Sequence, residues 1–203
     1  MGEALIRFSS LPKCKTALYG LFFYGGLDRI GGMSGLILPY KGIVPKIHDS
    51  AFVAPNACIA GDVEIGADSS IWFGVQMRGD VHEIRIGART NIQDGCVLHV
   101  TRGVSGCYIG DGVTVGHKAL LHACTIEDNA FIGMGAIILD EAVVESGAML
   151  AAGALLAPRK RVPAGELWAG NPARLMRKLT QADLDFFPVS AENYVRLSKD
   201  YMG

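Results

Sequence analysis

An aliphatic side chain recurs every six residues along most of the chain, starting at Val53 and ending at Trp168. The period breaks at an insertion of three residues before Ile86 and one of five before Ile109, and the step to Ile126 is one residue short. A period of six fits neither an amphipathic helix nor one long strand. It predicts short strands separated by turns, each with one inward aliphatic side chain. The series is Val53, Ile59, Ile65, Ile71, Met77, Ile86, Ile92, Leu98, Ile109, Val115, Leu121, Ile126, Ile132, Ile138, Val144, Leu150, Leu156, Val162 and Trp168.

A second series of mostly small residues stands four places after most of these aliphatic positions. We expect these side chains to point inward as well, where the corners of a coil leave little room. The series is Ala57, Val63, Ser69, Val75, Thr90, Cys96, Val113, Ala119, Thr125, Ala130, Ala136, Ala142, Ala148 and Ala154. Polar Lys160 and Glu166 break it and indicate a terminal capping coil.

This double pattern resembles the hexapeptide-repeat family, whose members form left-handed parallel β-helices with three strands per coil. The resemblance implies an all-β fold, with the β-helix domain in residues 33–173 and a C-terminal α-helical segment in residues 174–203. Thr180 is a candidate N-cap of that segment, and Pro188 is expected to interrupt it. Residues 1–32 form a separate N-terminal extension, interpreted as an upstream start or a leader.

Composition narrows the functional classes. The chain of 203 residues has 19 basic and 20 acidic side chains, so it lacks the basic excess that nucleic-acid binding requires. No apolar run approaches the roughly 18 residues of a membrane span. Five cysteines, an odd number without a C-x-x-C pair, indicate reduced thiols and a cytoplasmic location. An organellar leader in residues 1–32 remains an alternative.

Counting three strands per coil collects histidines on adjacent coils. Arg78, His99 and His122 fall in one outward column, and Asp94 lies over His117 in a second column across a corner. Imidazoles at the strand spacing of about 4.8 Å can share a metal ion. Because His117 lies round the corner, a symmetric trimer would let it complete the site of a neighbouring subunit. Three histidines leave the open coordination position of a catalytic zinc site.

The stretches IWFGVQMRGD, TNIQDGCVLHVT, VGHKALLHACTIEDNAFIGMGAIILD and WAGNPARLMRKL resemble the γ-class carbonic anhydrase family. The resemblance implies reversible hydration of CO2 to bicarbonate by metal-bound hydroxide, in a homotrimer with inter-subunit metal sites. His99 and His122 of one subunit and His117 of its neighbour would bind Zn2+, with Fe2+ or Co2+ as alternatives.

The same resemblance implies roles for five further residues. Arg78 and Asp80 would form an ion pair across the trimer interface. Gln93 would hydrogen-bond the water or bicarbonate, and Asn91 and Asp94 would support the site.

One departure from the family pattern concerns the route of the proton. Val81 follows Arg78-Gly79-Asp80 where the best-known members have a glutamate, and the loop TRGVSGCY has no acid. His82 and Glu83 are the candidate substitutes. Two other functions therefore stay open: acyl transfer or thioester hydrolysis on CoA esters, and a metal-bearing assembly subunit with little or no catalysis.

Overall fold

Short strands follow one another around a three-sided coil in residues 35–203, the part of the chain that the computed structural model describes. The predicted N-terminal extension, residues 1–32, lies outside this range. The elements are β1 Leu36–Leu38, β2 Lys46–Ile47, β3 Phe52–Val53, β4 Cys58–Ile65, β5 Ser70–Ile71, β6 Gln76–Ile86, β7 Asn91–Ile92, β8 Val97–His99, β9 Cys107–Ile109, β10 Thr114–Val115, β11 Leu120–His122, β12 Thr125–Ile126, β13 Phe131–Ile132, β14 Ile137–Ile138, β15 Val143–Val144, β16 Met149–Leu150, β17 Leu155–Leu156, β18 Arg161–Val162, β19 Glu166–Ala169, β20 Arg174–Lys178 and α1 Gln181–Met202.

The strands stack in three parallel columns, which confirms the predicted β-helix. The first column runs through β3, β5, β7, β10, β13, β16 and β19. The second runs through β1, β4, β6, β8, β11, β14 and β17, and the third through β2, β4, β6, β9, β12, β15 and β18. Because β4 and β6 are long, each turns a corner and belongs to both later columns.

The six-residue series forms the core. Every member from Ile59 to Val162 is at most 4% exposed, and only Val53 and Trp168, at the two ends, are partly exposed. A buried aliphatic side chain contributes about 1.5–3 kcal/mol when it is removed from water, so the stacked coils supply most of the stabilisation.

The small-residue series needs one correction. The four-residue spacing predicts that Thr125 points inward, but Cys124 is the fully buried residue and Thr125 is half-buried. The short step before Ile126 removes one residue from that turn, and Ala123 takes a left-handed conformation with φ of 47°. Cys107 lies beside Cys124 in the preceding coil, because Tyr108 pairs in register with Thr125, and both cysteines are fully buried.

The C-terminal segment differs from the prediction in two ways. Residues Arg174–Lys178 form β20, which pairs antiparallel with β19 and ends the parallel stack. Thr180 is the predicted N-cap, in a reciprocal hydrogen-bonded box with Asp183. The prediction that Pro188 interrupts the helix is wrong, because α1 continues through it to Met202.

Packing explains why α1 tolerates the proline. Ala191 and Val195, beyond Pro188, are buried, and Phe187 stacks on Phe131 with ring centroids 5.3 Å apart. The apolar face of the helix is thus anchored on the first column on both sides of the proline, which offsets the lost backbone hydrogen bond. No helix in residues 35–203 is both long enough and apolar enough to span a membrane.

The narrow interior predicts a strong size limit at the small positions. Ala142 is fully buried, and Lys160 occupies the same column one coil later but is exposed. We expect Ala142→Leu to lower the free energy of unfolding by about 1–3 kcal/mol through overpacking. Lys160→Leu is the matched control and should leave the urea midpoint nearly unchanged. Equal losses in the two variants would contradict this account of the interior.

Candidate metal centre

Two histidines meet on the outside of the second column. His99 ends β8 and His122 ends β11, and the parallel register pairs the two residues directly. Leu98 and Leu121, which precede them, point into the core, so alternation turns both imidazoles outward. His99 Nδ1 lies 3.2 Å from His122 Nε2.

Each imidazole is held from behind by a carboxylate. His99 Nε2 lies 3.0 Å from Asp80 Oδ1, and His122 Nδ1 lies 3.1 Å from Asp140 Oδ2. Burial raises the pKa of Asp80, but hydrogen bonds from Arg78 and His99 more than offset it and lower the pKa. For Asp140, the hydrogen bond donated by the Thr101 hydroxyl is the main cause of a lowered pKa. Both carboxylates are therefore ionised near neutral pH and accept the imidazole N–H groups.

The donor set fits a divalent metal ion. A neutral imidazole has one N–H, and donating it to the carboxylate leaves the other nitrogen as a bare lone pair. The two lone pairs then face each other at 3.2 Å, an arrangement that a shared cation would stabilise. Two tetrahedral zinc ligands at the usual Zn–N distance lie about 3.3 Å apart. Carboxylates behind ligating histidines are also the usual means of fixing the ring and its tautomer.

Asp140 was missed by the sequence analysis, although a signal was available. Ile138 follows Leu121 in the second column, so extending the count by one coil brings Asp140 beside His122. The residue lies in the turn after β14, where the hexapeptide pattern alone gives it no role.

His117 lies apart from this pair, on the corner after β10. Its Nδ1 is 2.9 Å from Asp94 Oδ2 of the preceding coil, in keeping with the predicted column of Asp over His. Within residues 35–203, no group of three or more His, Cys, Asp or Glu side chains converges on one point. The structure brings together two of the three predicted ligands, and the inter-subunit contribution of His117 stays a prediction.

Arg78 and Asp80 form an ion pair within the chain, and the ion pair across the trimer interface that the resemblance implies stays a prediction. Gly79 between them lies against Gly61 of β4, and a Cβ at Gly79 would come within 2.4 Å of the Asp62 carbonyl oxygen. Only glycine permits this close approach of the two strands. Gly79 therefore fixes the strand position from which Asp80 reaches His99.

Gln93 and Asn91 lie on the first column, buried beneath α1. Gln93 Nε2 donates to Asn91 Oδ1 at 2.9 Å, and the two residues are 5% and 1% exposed. α1 also places Tyr194 on this side of the molecule, against Trp72. Burial raises the pKa of Tyr194, and the charge of Asp94 adds to the shift.

The candidate proton-route residues lie in β6, beyond Asp80. His82 Nδ1 is 2.8 Å from Glu83 Oε2, and Tyr108 donates to Glu83 Oε1 at 2.8 Å. The hydrogen bond from Tyr108 is the main cause of a lowered pKa of Glu83. This ionised group faces Tyr108 and His82, and its part in proton transfer stays a prediction.

Comparison with known proteins gives a consistent family. A family model described as bacterial transferase hexapeptide (six repeats) matches residues 45–79. Gamma carbonic anhydrase 2, mitochondrial, of Arabidopsis thaliana is 51% identical over 76% of this chain, which spans only 58% of that protein. A carbonic anhydrase of Geobacillus kaustophilus is 45% identical over 82% of this chain and 91% of its own length.

A solved structure shares both the fold and much of the sequence. The hexapeptide transferase family protein from Anaplasma phagocytophilum is 50% identical with a TM-score of 0.78, over 82% of this chain and 98% of that one.

The carboxylate behind His122 gives a testable consequence. Asp140→Asn keeps the shape but removes the charge, so we expect the affinity for Zn2+ to fall about 10–100-fold, as is typical of such supporting groups. Competition with a chromophoric chelator measures the affinity. Asp111→Asn is the matched control. Asp111 lies in the turn after β9, accepts a hydrogen bond from the Ala88 backbone N–H and touches neither histidine. An unchanged affinity in Asp140→Asn would contradict the assignment.

Proposed function

Because the chain belongs to the γ-class carbonic anhydrase family of hexapeptide-repeat proteins, we propose that it catalyses the reversible hydration of CO2 to bicarbonate. The observation that carries the proposal is the pair of facing imidazole nitrogens, His99 Nδ1 and His122 Nε2, each on a ring backed by an ionised carboxylate. The proposed metal is Zn2+, with Fe2+ or Co2+ as alternatives, because imidazole ligands alone do not choose among these ions.

The chemistry divides between the ion and the protein. When bound, a divalent ion would supply hydroxide near neutral pH by lowering the pKa of water to about 7. His99 and His122 would hold the ion, and Asp80 and Asp140 would keep the outer nitrogens, His99 Nε2 and His122 Nδ1, protonated. Gln93 would orient the attacking O–H toward the carbon of CO2. This orientation matters because CO2 is apolar and offers few groups that the protein can bind.

The third ligand is proposed to come from a second copy of the chain. The outward face beside the two histidines carries an apolar column, in which Val97 and Leu120 are 42% and 37% exposed and Ile137 and Leu155 continue in register. Covering this column with another subunit removes apolar surface from water next to the metal pair. A closed three-fold assembly would give each His99–His122 pair one His117.

Acyl transfer is the competing function for this fold, and the Anaplasma protein is named as a member of a transferase family. A transferase needs one histidine as a general base and a cleft for the acyl carrier. It gives no reason for two imidazoles to face each other with both outer nitrogens on carboxylates. That arrangement favours the metal-dependent reaction.

The first test measures metal and activity on one sample. We expect anaerobically purified protein to hold about one metal ion per chain and to hydrate CO2 in stopped-flow assays. His99→Ala should lose both, since His122 and one His117 of a neighbouring copy leave only two of the three proposed ligands to retain the ion. Full metal occupancy without hydration would contradict the proposed reaction and favour an assembly subunit, whereas thioester hydrolysis without metal would favour acyl chemistry.

The second test asks whether sites are shared between subunits. His117→Ala and His99→Ala should each be inactive as pure proteins. Unfolding and reassembling them together at equal concentrations should restore about one quarter of the wild-type activity, because that share of interfaces pairs an intact His99 with an intact His117. A site built within one chain would stay inactive in every mixture. Mixing His99→Ala with His122→Ala is the control and should restore nothing.

A further inference from the structure

A continuous set of polar side chains is buried between the first column and α1. Asn91, Gln93, Thr114 and Ser190 are each at most 7% exposed, in an interface that is otherwise apolar. Asn91 and Thr114 are register partners on β7 and β10, and Ser190 faces them from the middle of α1. Burying four polar side chains is costly unless all are hydrogen-bonded, so their contacts call for a physical explanation.

The contacts form one chain of hydrogen bonds. Gln93 Nε2 donates to Asn91 Oδ1 at 2.9 Å, and Asn91 Nδ2 donates to Thr114 Oγ1 at 3.0 Å. Thr114 Oγ1 lies 3.1 Å from Ser190 Oγ. Within residues 35–203, no buried side-chain nitrogen or oxygen lacks a partner.

The backbone fixes the direction of this chain. The Val113 carbonyl can only accept, so the Asn91 atom that faces it at 3.4 Å is the amide nitrogen. The Asn91 oxygen must then face Gln93, and Gln93 must present its own nitrogen. Gln93 Oε1 accepts no hydrogen bond from residues 35–203, so it is not among the fully buried atoms and lies at the edge of the buried set. It is therefore the acceptor for a bound O–H. A rotation of the Gln93 amide by half a turn would place two oxygens against each other.

We propose that Thr114 and Ser190 are positioning residues, through which α1 fixes the Gln93 side chain with Oε1 as an acceptor for the attacking O–H. The role of Oε1 rests on the proposed function, whereas the orientation of the amide does not. The Asn91 amide nitrogen has two donor hydrogens. One makes the weak contact with the Val113 carbonyl, and the other is donated to Thr114 Oγ1. Without Thr114 Oγ1, the Asn91 amide is held only by its 3.4 Å contact with the Val113 carbonyl, so it turns more easily and no longer fixes the Gln93 amide.

The kinetic test uses isosteric pairs. Thr114→Val removes the hydroxyl at nearly constant volume and should lower kcat about 5–10-fold, with KM little changed. Thr114→Ser keeps the hydroxyl and should recover most of the loss. Ser190→Ala should have a smaller effect of the same kind. Ser198→Ala is the matched control: Ser198 is 2% exposed on the same helix, but its hydroxyl donates to the Val195 carbonyl and is outside the chain.

The second readout needs no substrate or activity. The chain has three glutamines, Gln76, Gln93 and Gln181, so selective labelling with 15N-glutamine gives three side-chain amide signals, and Gln93→Ala assigns one of them. We expect the Gln93 amide to exchange slowly with solvent in the wild type and in Thr114→Ser, and faster in Thr114→Val and Ser190→Ala.

The two readouts separate the two ideas. An unchanged exchange rate in Thr114→Val would overturn the positioning role, whatever the activity. A loss in Ser198→Ala as large as that in Ser190→Ala would also overturn it, because the effect would then be ordinary packing. If the wild type does not hydrate CO2, the proposed function fails, and the exchange rates alone decide whether α1 fixes Gln93.

Discussion

Parallel, in-register stacking of short strands is the constraint on which the rest of this structure depends. Successive coils are separated by one strand spacing of about 4.8 Å, and alternation sends every second side chain outward. The aliphatic six-residue series and the small residues beside it occupy the inward positions. What remains for chemistry is an outward ladder in which like positions lie directly above one another. His99 and His122 are such a pair, and no loop or hinge is needed to bring them together.

The same ladder explains how the histidines are tuned. Because the outer nitrogens of the two rings meet Asp80 and Asp140, the inner nitrogens are left to face each other. Neither carboxylate lies on the strand of the histidine that it supports. Asp80 comes from the corner of β6, where Gly61 and Gly79 allow two strands to approach closely, and Asp140 comes from the turn after β14. The irregular corners of the coils thus supply the carboxylates that orient the two histidines of the regular column.

The sequence predicted most of the fold, since a period of six over this length is incompatible with other regular structures. It also predicted that His99 and His122 would meet, because the register of stacked strands follows from counting residues along the repeat. The wrong or missing predictions concern positions where the six-residue repeat is interrupted or carries no information. The step from Leu121 to Ile126 is five residues long instead of six, so the repeat predicts Thr125 as the inward residue where Cys124 is buried. Asp140 was missed because it lies in a turn, where the repeat assigns no role. The local preference of Pro188 predicts a break in the helix, but the packing of Ala191 and Val195 overrides that preference. Tertiary contacts of this kind carry no periodic signal.

The three-sided coil also accounts for the separation of His117 from the other two histidines. A corner after β10 carries His117 with Asp94, whereas His99 and His122 lie on the flat side of the second column. A flat side can be covered by a corner only if that corner belongs to another coil stack. Under the proposed function, a complete metal centre therefore requires a neighbouring copy, and the apolar column through Val97 and Leu120 lies where that copy would pack. Assembly and chemistry would then depend on the same surface, because a single chain brings together only two of the three proposed ligands.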